Sequence, residues 1–265
     1  MGFWPDMPEG EYHAIKAFSY SGSKEFSKSP AHFQAYLKKE WEVSPDREKF
    51  KAVHLLCLEP SMQSRIIVRD GRWAGGLKEE VESLQKQGYI VLKPEALAEA
   101  KEIADSILNH ELAGGILSQS MTEVSIFWIE SGVYCKGRID SLYVDDTDFI
   151  LGDLKNFGCI ASESLLWRQI TENNYHRQLA LYSRGLEQVF ERKLTGRYWY
   201  FVEGKPPHGV KVRTCTEPMI ERANVDLDAI LPEFKTCEET NNWPCYSEEA
   251  QAANLTSYGW EINYE

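Results

Sequence analysis

Apolar residues recur every three or four positions in some stretches of this chain and alternate with polar ones in others. In 46–58, Phe50, Val53, Leu56 and Cys57 share one helical face behind Pro45-Asp46, and Glu59-Pro60 ends the run. Residues 19–38 predict two short helices divided at Ser29-Pro30, because proline suits a first helical turn. Short strands are expected at 63–69 and 89–93, around a helix at 77–87. A longer helix fits 94–112 and stops near Gly114-Gly115. From 123 the period changes to two, with Val124, Ile126 and Trp128 alternating with Ser125 and Phe127. Strands at 123–129, 133–144 and 149–155, separated by Ser131-Gly132 and Asp145-Asp146-Thr147, form an antiparallel meander. A long helix over about 162–191 follows, then strands at 197–203 and 210–214 joined by a Pro206-Pro207 loop, then a helix over 217–238.

Helix, three antiparallel strands, long helix and strand, in that order, predict a mixed β-sheet covered by helices, an α/β or α+β domain. At 43% apolar residues, the 265-residue chain can bury a sizeable core and is not disordered. No apolar run approaches the roughly 18–20 residues that span a bilayer, so no membrane role is expected. The start, Met1-Gly-Phe-Trp-Pro-Asp, lacks the features of a secretory signal, and Asp6 stands where a myristoylation signal has Ser or Thr. A cytoplasmic protein is expected. None of the six cysteines (57, 135, 159, 215, 237, 245) forms a CxxC pair, which predicts free thiols rather than a zinc or iron–sulfur site.

With 29 basic against 41 acidic residues, the net charge is −12. That argues against coating nucleic acid by bulk charge, which rests on Lys and Arg neutralising phosphates. A local basic channel remains compatible with it.

The chemistry concentrates in Gly137-Arg-Ile-Asp140, then twelve residues, then Asp153-Leu-Lys155. Asp153 and Lys155 are two apart on an expected strand and therefore share a face. Asp140 lies near the end of the preceding strand, so the three can converge. Two carboxylates and a lysine suit metal-assisted phosphodiester hydrolysis, with hard oxygen ligands for Mg²⁺ or Mn²⁺ and a cation to stabilise developing charge. Solvated cross-strand pairing is the ordinary alternative. However, Asp153 closes the apolar run Phe149-Ile-Leu-Gly, and a buried charge needs a partner or a metal. His54 lies on the 46–58 helix, where a lone histidine is ordinarily part of a core or its boundary. Gln178 and Tyr182, four apart, share a face of the long helix.

Asp140, Asp153 and Lys155, followed by Gln178-x-x-x-Tyr182, resemble the PD-(D/E)xK nuclease signature of the RecB-like branch, in which a preceding helix supplies a histidine. The likeness is closer to the RecE, or exonuclease VIII, group. It extends to Phe18-Ser19-Tyr20-Ser21-Gly22, Ser29-Pro30-Ala31-His32-Phe33 and His54 with Leu58-Glu59-Pro60. Glu123-Val-Ser-Ile-Phe-Trp128, Cys135-Lys-Gly-Arg-Ile-Asp140, Tyr175-His-Arg-Gln178 and Trp243-Pro244-x-Tyr246 belong to it too. Together these segments span about residues 12 to 260. Asn156 departs from the pattern, where Thr is usual after the lysine.

The resemblance implies an α/β restriction-endonuclease-like core in a single nuclease domain over 1–265. Its parts would be a helical stretch at about 12–60, a catalytic core at about 120–215, and a C-terminal helix and tail at 217–265. It implies a 5′→3′ exonuclease on double-stranded DNA ends that needs Mg²⁺, with Mn²⁺ able to substitute, and no ATP. A homo-oligomeric ring and a RecT-type single-strand annealing partner are implied as well. His54, Asp140 and Asp153 carry over as metal ligands and Lys155 as the catalytic lysine. Gln178 and Tyr182 would support the site or hold the DNA backbone.

Around this site Lys136, Arg138, Lys155, Arg168 and Arg177 are expected to line a positive channel, and Ser19 and Ser21 to help hold a terminal phosphate. An N-cap role for Ser21 is the alternative. Glu123 is expected to serve a second metal, or to pair with His54 or Lys155. Metal binding needs a neutral imidazole, so affinity should fall towards about pH 6.5, and His54→Ala should weaken metal binding without unfolding the chain. An endonuclease on the same fold and a catalytically silent DNA- or protein-binding module are the competing readings. A glycosidase leaves the lysine and histidine without a task.

Overall fold

In the computed structural model, which describes residues 2–38, 45–158 and 162–246, the chain opens with β1 (Gly2–Trp4). Four helices follow: α1 (Glu9–Ala14), α2 (Tyr20–Phe26), α3 (Pro30–Lys38) and α4 (Pro45–Leu58). A 3-10 turn over Pro60–Arg65 leads into an arm of β2 (Ile66–Val68), α5 (Gly76–Lys86) and β3 (Ile90–Leu92), and then to α6 (Pro94–Leu108) and α7 (Glu111–Leu117). The meander is β4 (Met121–Glu130), β5 (Val133–Val144) and β6 (Phe149–Phe157). After it come α8 (Glu163–Asn173), α9 (Tyr175–Phe190), β7 (Gly196–Glu203), β8 (Val210–Thr214) and α10 (Glu217–Thr240).

Six strands form one sheet in the order β1-β4-β5-β6-β7-β8. Only β6 and β7 run parallel within it, because α8 and α9 supply the crossover that a parallel pair requires. The sheet is therefore mixed, as the pattern predicts. Helices cover both faces. Phe149, Leu151, Phe157, Trp199 and Phe201 pack with Leu179, Leu186 and Leu227 of α9 and α10. Leu154, Tyr200 and Val202, at the opposite parity, pack with Val53, Leu56 and Ile103 of α4 and α6. No described helix is long and apolar enough to cross a membrane.

Four expectations change. The strand expected over 63–69 is shortened to Ile66–Val68, because Pro60 starts a 3-10 turn that consumes 60–65. The helix expected over 94–112 ends at Leu108, and Gly114-Gly115 lies inside α7 instead of stopping a helix. A Cβ at Gly114 would sit 2.0 Å from the Leu108 carbonyl oxygen, so glycine here permits the close turn between α6 and α7. The long helix over 162–191 breaks at Asn174, which adopts φ +56° and reorients α9 relative to α8. β1 and α1 are additional, since the first fourteen residues carry too short a pattern to announce them. Cys159 and residues 247–265 of the tail lie outside the described residues.

Candidate active site

β5 and β6 pair only between Ser141↔Gly152 and Val144↔Phe149, whereas β6 stays with β7 as far as Phe157. The meander thus forks, and Asp140 and Asp153 are the first residues beyond the paired segment. The Leu154 N–H, freed from the ladder, donates to Asp140 Oδ2 at 2.8 Å. Asp153 is 1% exposed and uses both carboxylate oxygens. Gln178 Nε2 donates to its Oδ1 at 2.7 Å, and Lys155 Nζ lies 2.5 Å from its Oδ2. The same ammonium sits 4.9 Å from the centre of the Tyr175 ring. Tyr175, Gln178 and Tyr182 are spaced i, i+3, i+7 on α9, so one helix face braces the Asp153–Lys155 pair. Tyr182 packs over Gly137, where a Cβ would come within 2.9 Å of its ring.

His54 approaches from α4, whose end is tied to β4 by the Thr122 hydroxyl donating to the Leu58 carbonyl. Ligand atoms of His54, Glu123 and Asp140 all lie within 4.8 Å of one another. One imidazole nitrogen and two carboxylate oxygens fit a divalent cation. Asp153, expected as a metal ligand, is not part of this group, and its carboxylate is held by Gln178 and Lys155.

Electrostatics follow from crowding and burial. Burial lowers the pKa of His54 below its usual value, opposed by the Glu123 and Asp153 charges, and so keeps the ring in the neutral form that a metal requires. Burial and the neighbouring Asp153 charge push Asp140 up to about 7, with Lys155 and the Leu154 N–H working the other way. Burial and Asp140 likewise push Glu123 up to about 7, against the pull of Arg138. Three acidic groups sharing a small volume is an arrangement that a dication relieves. For Lys155, burial would disfavour the ammonium, but the Asp153 and Asp140 charges outweigh it and raise the pKa, so the side chain stays cationic.

A cavity of about 1270 Å³ opens on the His54 and Glu123 side of the cluster. The N-terminal segment around α1, α4 and the arm wall it, and Arg47, Lys51, Arg65 and Arg138 line it.

The sequence-predicted residues divide. His54, Glu123, Asp140, Asp153, Lys155, Gln178 and Tyr182 come together at the fork. The expected positive channel does not form from the residues named for it. Lys136 is 8% exposed, and its ammonium donates to the Tyr12 and Ile15 carbonyls at 2.9 and 2.7 Å, so it pins the N-terminal segment instead. Arg177 is buried against Ser27, Asn174 and Asp226. Arg168 is exposed and paired with Glu172 one turn along α8. Arg138 does line the cavity, but it pairs with Glu123, for which His54 or Lys155 is the partner expected from the sequence. Ser19, not Ser21, caps α2, its hydroxyl accepting from Gly22 N at 3.3 Å; Ser21 is exposed in the first turn. Sequence reasoning missed Arg47 and Lys51 at the cavity. Their i, i+4, i+7 spacing with His54 on one helix was the readable signal. Tyr175, visible only as part of a motif, gained its position from the break at Asn174.

A family model described as a PDDEXK-like domain of unknown function (DUF3799) matches residues 19–256. A crystal structure described as a "putative exonuclease" from Eubacterium rectale superposes with a TM-score of 0.68 at 16% identity, covering 92% of this chain and 91% of that one. The protein SSO0001 aligns at 16% identity over 80% of this chain and 92% of that one, with a TM-score of 0.30, too low to indicate a shared fold. Among proteins of curated function none matches the sequence.

Proposed function

Because this chain belongs to the PDDEXK-like domain family, we propose that it is a metal-dependent 5′→3′ exonuclease acting on double-stranded DNA ends without ATP. The observation that carries the reading is the fork, where Asp140, Asp153 and Lys155 meet with His54, Glu123 and Gln178 around them. In this reading His54 and Asp140 hold Mg²⁺, or Mn²⁺ in its place, with Glu123 near enough to join them; their grouping within 4.8 Å supports it. A bound divalent cation supplies Lewis acidity, activating water and offsetting charge on the phosphate.

The protein's own groups do the rest. Lys155, kept cationic by Asp153, offers its ammonium to charge that develops on the phosphate oxygens. Gln178 fixes the Asp153 carboxylate so that the lysine has one direction in which to point. The cavity on the far side admits the strand being cut, with Arg47 and Lys51 on its wall to contact phosphates.

Polarity, a ring-shaped homo-oligomer, a RecT-type annealing partner and a cytoplasmic setting come with the RecE-like motifs and form part of this proposal. The test is degradation of end-labelled linear duplex in Mg²⁺ or in EDTA, beside Asp153→Ala and a closed-circular duplex. Mg²⁺-dependent loss of linear DNA alone, with the 5′ label released first and no activity in the variant, is the expected result. Cutting of the circle would point to an endonuclease, and no cleavage by folded wild type would leave a binding module.

A further inference from the structure

Glu123 stands in two sets of contacts at once. Its Oε2 accepts from the Arg138 Nε–H, and one of its carboxylate oxygens lies within 4.8 Å of a ligand atom of His54 and of Asp140. A dication bound by that carboxylate would repel the guanidinium across it, so the two partners compete. The backbone shows that this position is unusual. Glu123 adopts φ +52° as the third residue of β4, while the register continues on either side with Thr122↔Ser141 and Val124↔Ile139. A non-glycine residue keeps that conformation only where its surroundings impose it, and such positions cluster at working sites.

Arg138 is anchored independently of Glu123. Its Nη1 donates to the Met7 carbonyl at 2.9 Å and to the Ser125 hydroxyl at 3.2 Å. If Glu123 leaves, the guanidinium stays where it is and its Nε edge becomes free. That edge belongs to a side chain lining the cavity proposed for the DNA strand.

Resting on the nuclease reading, we infer that Glu123 is a metal ligand held in reserve by Arg138, and that Arg138 becomes a DNA-phosphate contact only after Glu123 has turned to the metal. Metal loading then creates a phosphate contact that the metal-free protein masks. The coupling is reciprocal, as linkage requires: phosphate on Arg138 favours Glu123 on the metal.

The test uses the full chain, Mn²⁺ titrated calorimetrically without DNA, and a fluorescent blunt duplex titrated in EDTA. Glu123→Gln should weaken Mn²⁺ binding by roughly tenfold or more, and should bind the duplex in EDTA about fivefold more tightly than wild type. Arg138→Met should bind Mn²⁺ at least as tightly as wild type and leave duplex affinity in EDTA unchanged. The double variant should lose the gain made by Glu123→Gln, which identifies Arg138 as its source. Unchanged Mn²⁺ affinity in Glu123→Gln overturns the inference. So does a gain that persists in the double variant, since that is a charge effect alone. Should Glu123→Gln fail to give a cooperative melt, Arg138→Met decides: weaker duplex binding in EDTA would mean that Arg138 is not masked. A wild type that binds neither Mn²⁺ nor duplex would instead remove the nuclease reading itself.

Discussion

Five cations on or near the Asp140–Lys155 segment and α8–α9 meet different surroundings on folding. Lys155 faces buried Asp153, Lys136 faces two carbonyls, Arg138 faces Glu123, Arg177 is packed among polar groups and Arg168 pairs with Glu172 at the surface. What separates them is the partner each meets on folding, not residue type. Lys136 gives the sharpest test, because a DNA contact and a structural pin fail differently. Lys136→Met removes a charged donor from two carbonyls and should destabilise the fold by about 2–4 kcal/mol. Duplex affinity and its salt slope should not change, whereas loss of a phosphate contact would lower that slope by about one. Urea unfolding and a salt titration of DNA binding measure the two.

At the scale of elements, the site depends on how α9 lies against the sheet. The break at Asn174 sets the start of this helix, and two glycines set its distance from the strands. A Cβ at Gly185 would sit 2.6 Å from the buried Trp128 ring on β4, and one at Gly137 would meet Tyr182. Both glycines are placed for close approach, and neither has a positive φ among the described residues. Gly185→Ala should therefore push α9 off β4, costing about 1–3 kcal/mol and lowering the melting temperature by roughly 2–10 °C. Because Gln178 and Tyr175 move with the helix, turnover should fall more than DNA affinity. A variant that melts like wild type and cleaves normally would show that the helix tolerates the methyl group.

At the scale of the whole molecule, the cavity is enclosed by parts far apart in sequence, and Glu9 of α1 joins Arg65 across it at 3.1 Å. His13, one turn along, and the Arg65 guanidinium bring the Glu9 carboxyl down to about 2 from an ordinary value of 4.5. The folded form therefore binds this proton less readily than the unfolded chain. The resulting stability is complete above about pH 4.5 and is lost as the pH falls towards 2. Glu9→Gln should flatten that part of the stability–pH curve by lowering stability above about pH 4.5, and only slightly, because the Glu9 side chain is half exposed. Chemical denaturation at several acidic pH values measures it; an unchanged curve would mean that the contact carries no linkage.

The meander was legible because three alternating runs with short turns between them allow little but adjacent antiparallel strands. The spacing of Asp140, Asp153 and Lys155 made a convergence at a strand end readable, whereas Gln178, Tyr182 and His54 entered the candidate site only through the resemblance to the PD-(D/E)xK signature. Where the strands part was beyond the sequence, since the fork depends on Asp140 taking the Leu154 N–H from the ladder. The partner of Glu123 and the burial of Lys136 and Arg177 were beyond it too. Local periodicity decides which face a side chain occupies, because it depends on residues three or four positions away. Which charge meets which, and which loses its water, is decided by the packed fold, in some cases by segments more than a hundred residues apart, as when Lys136 closes on Tyr12.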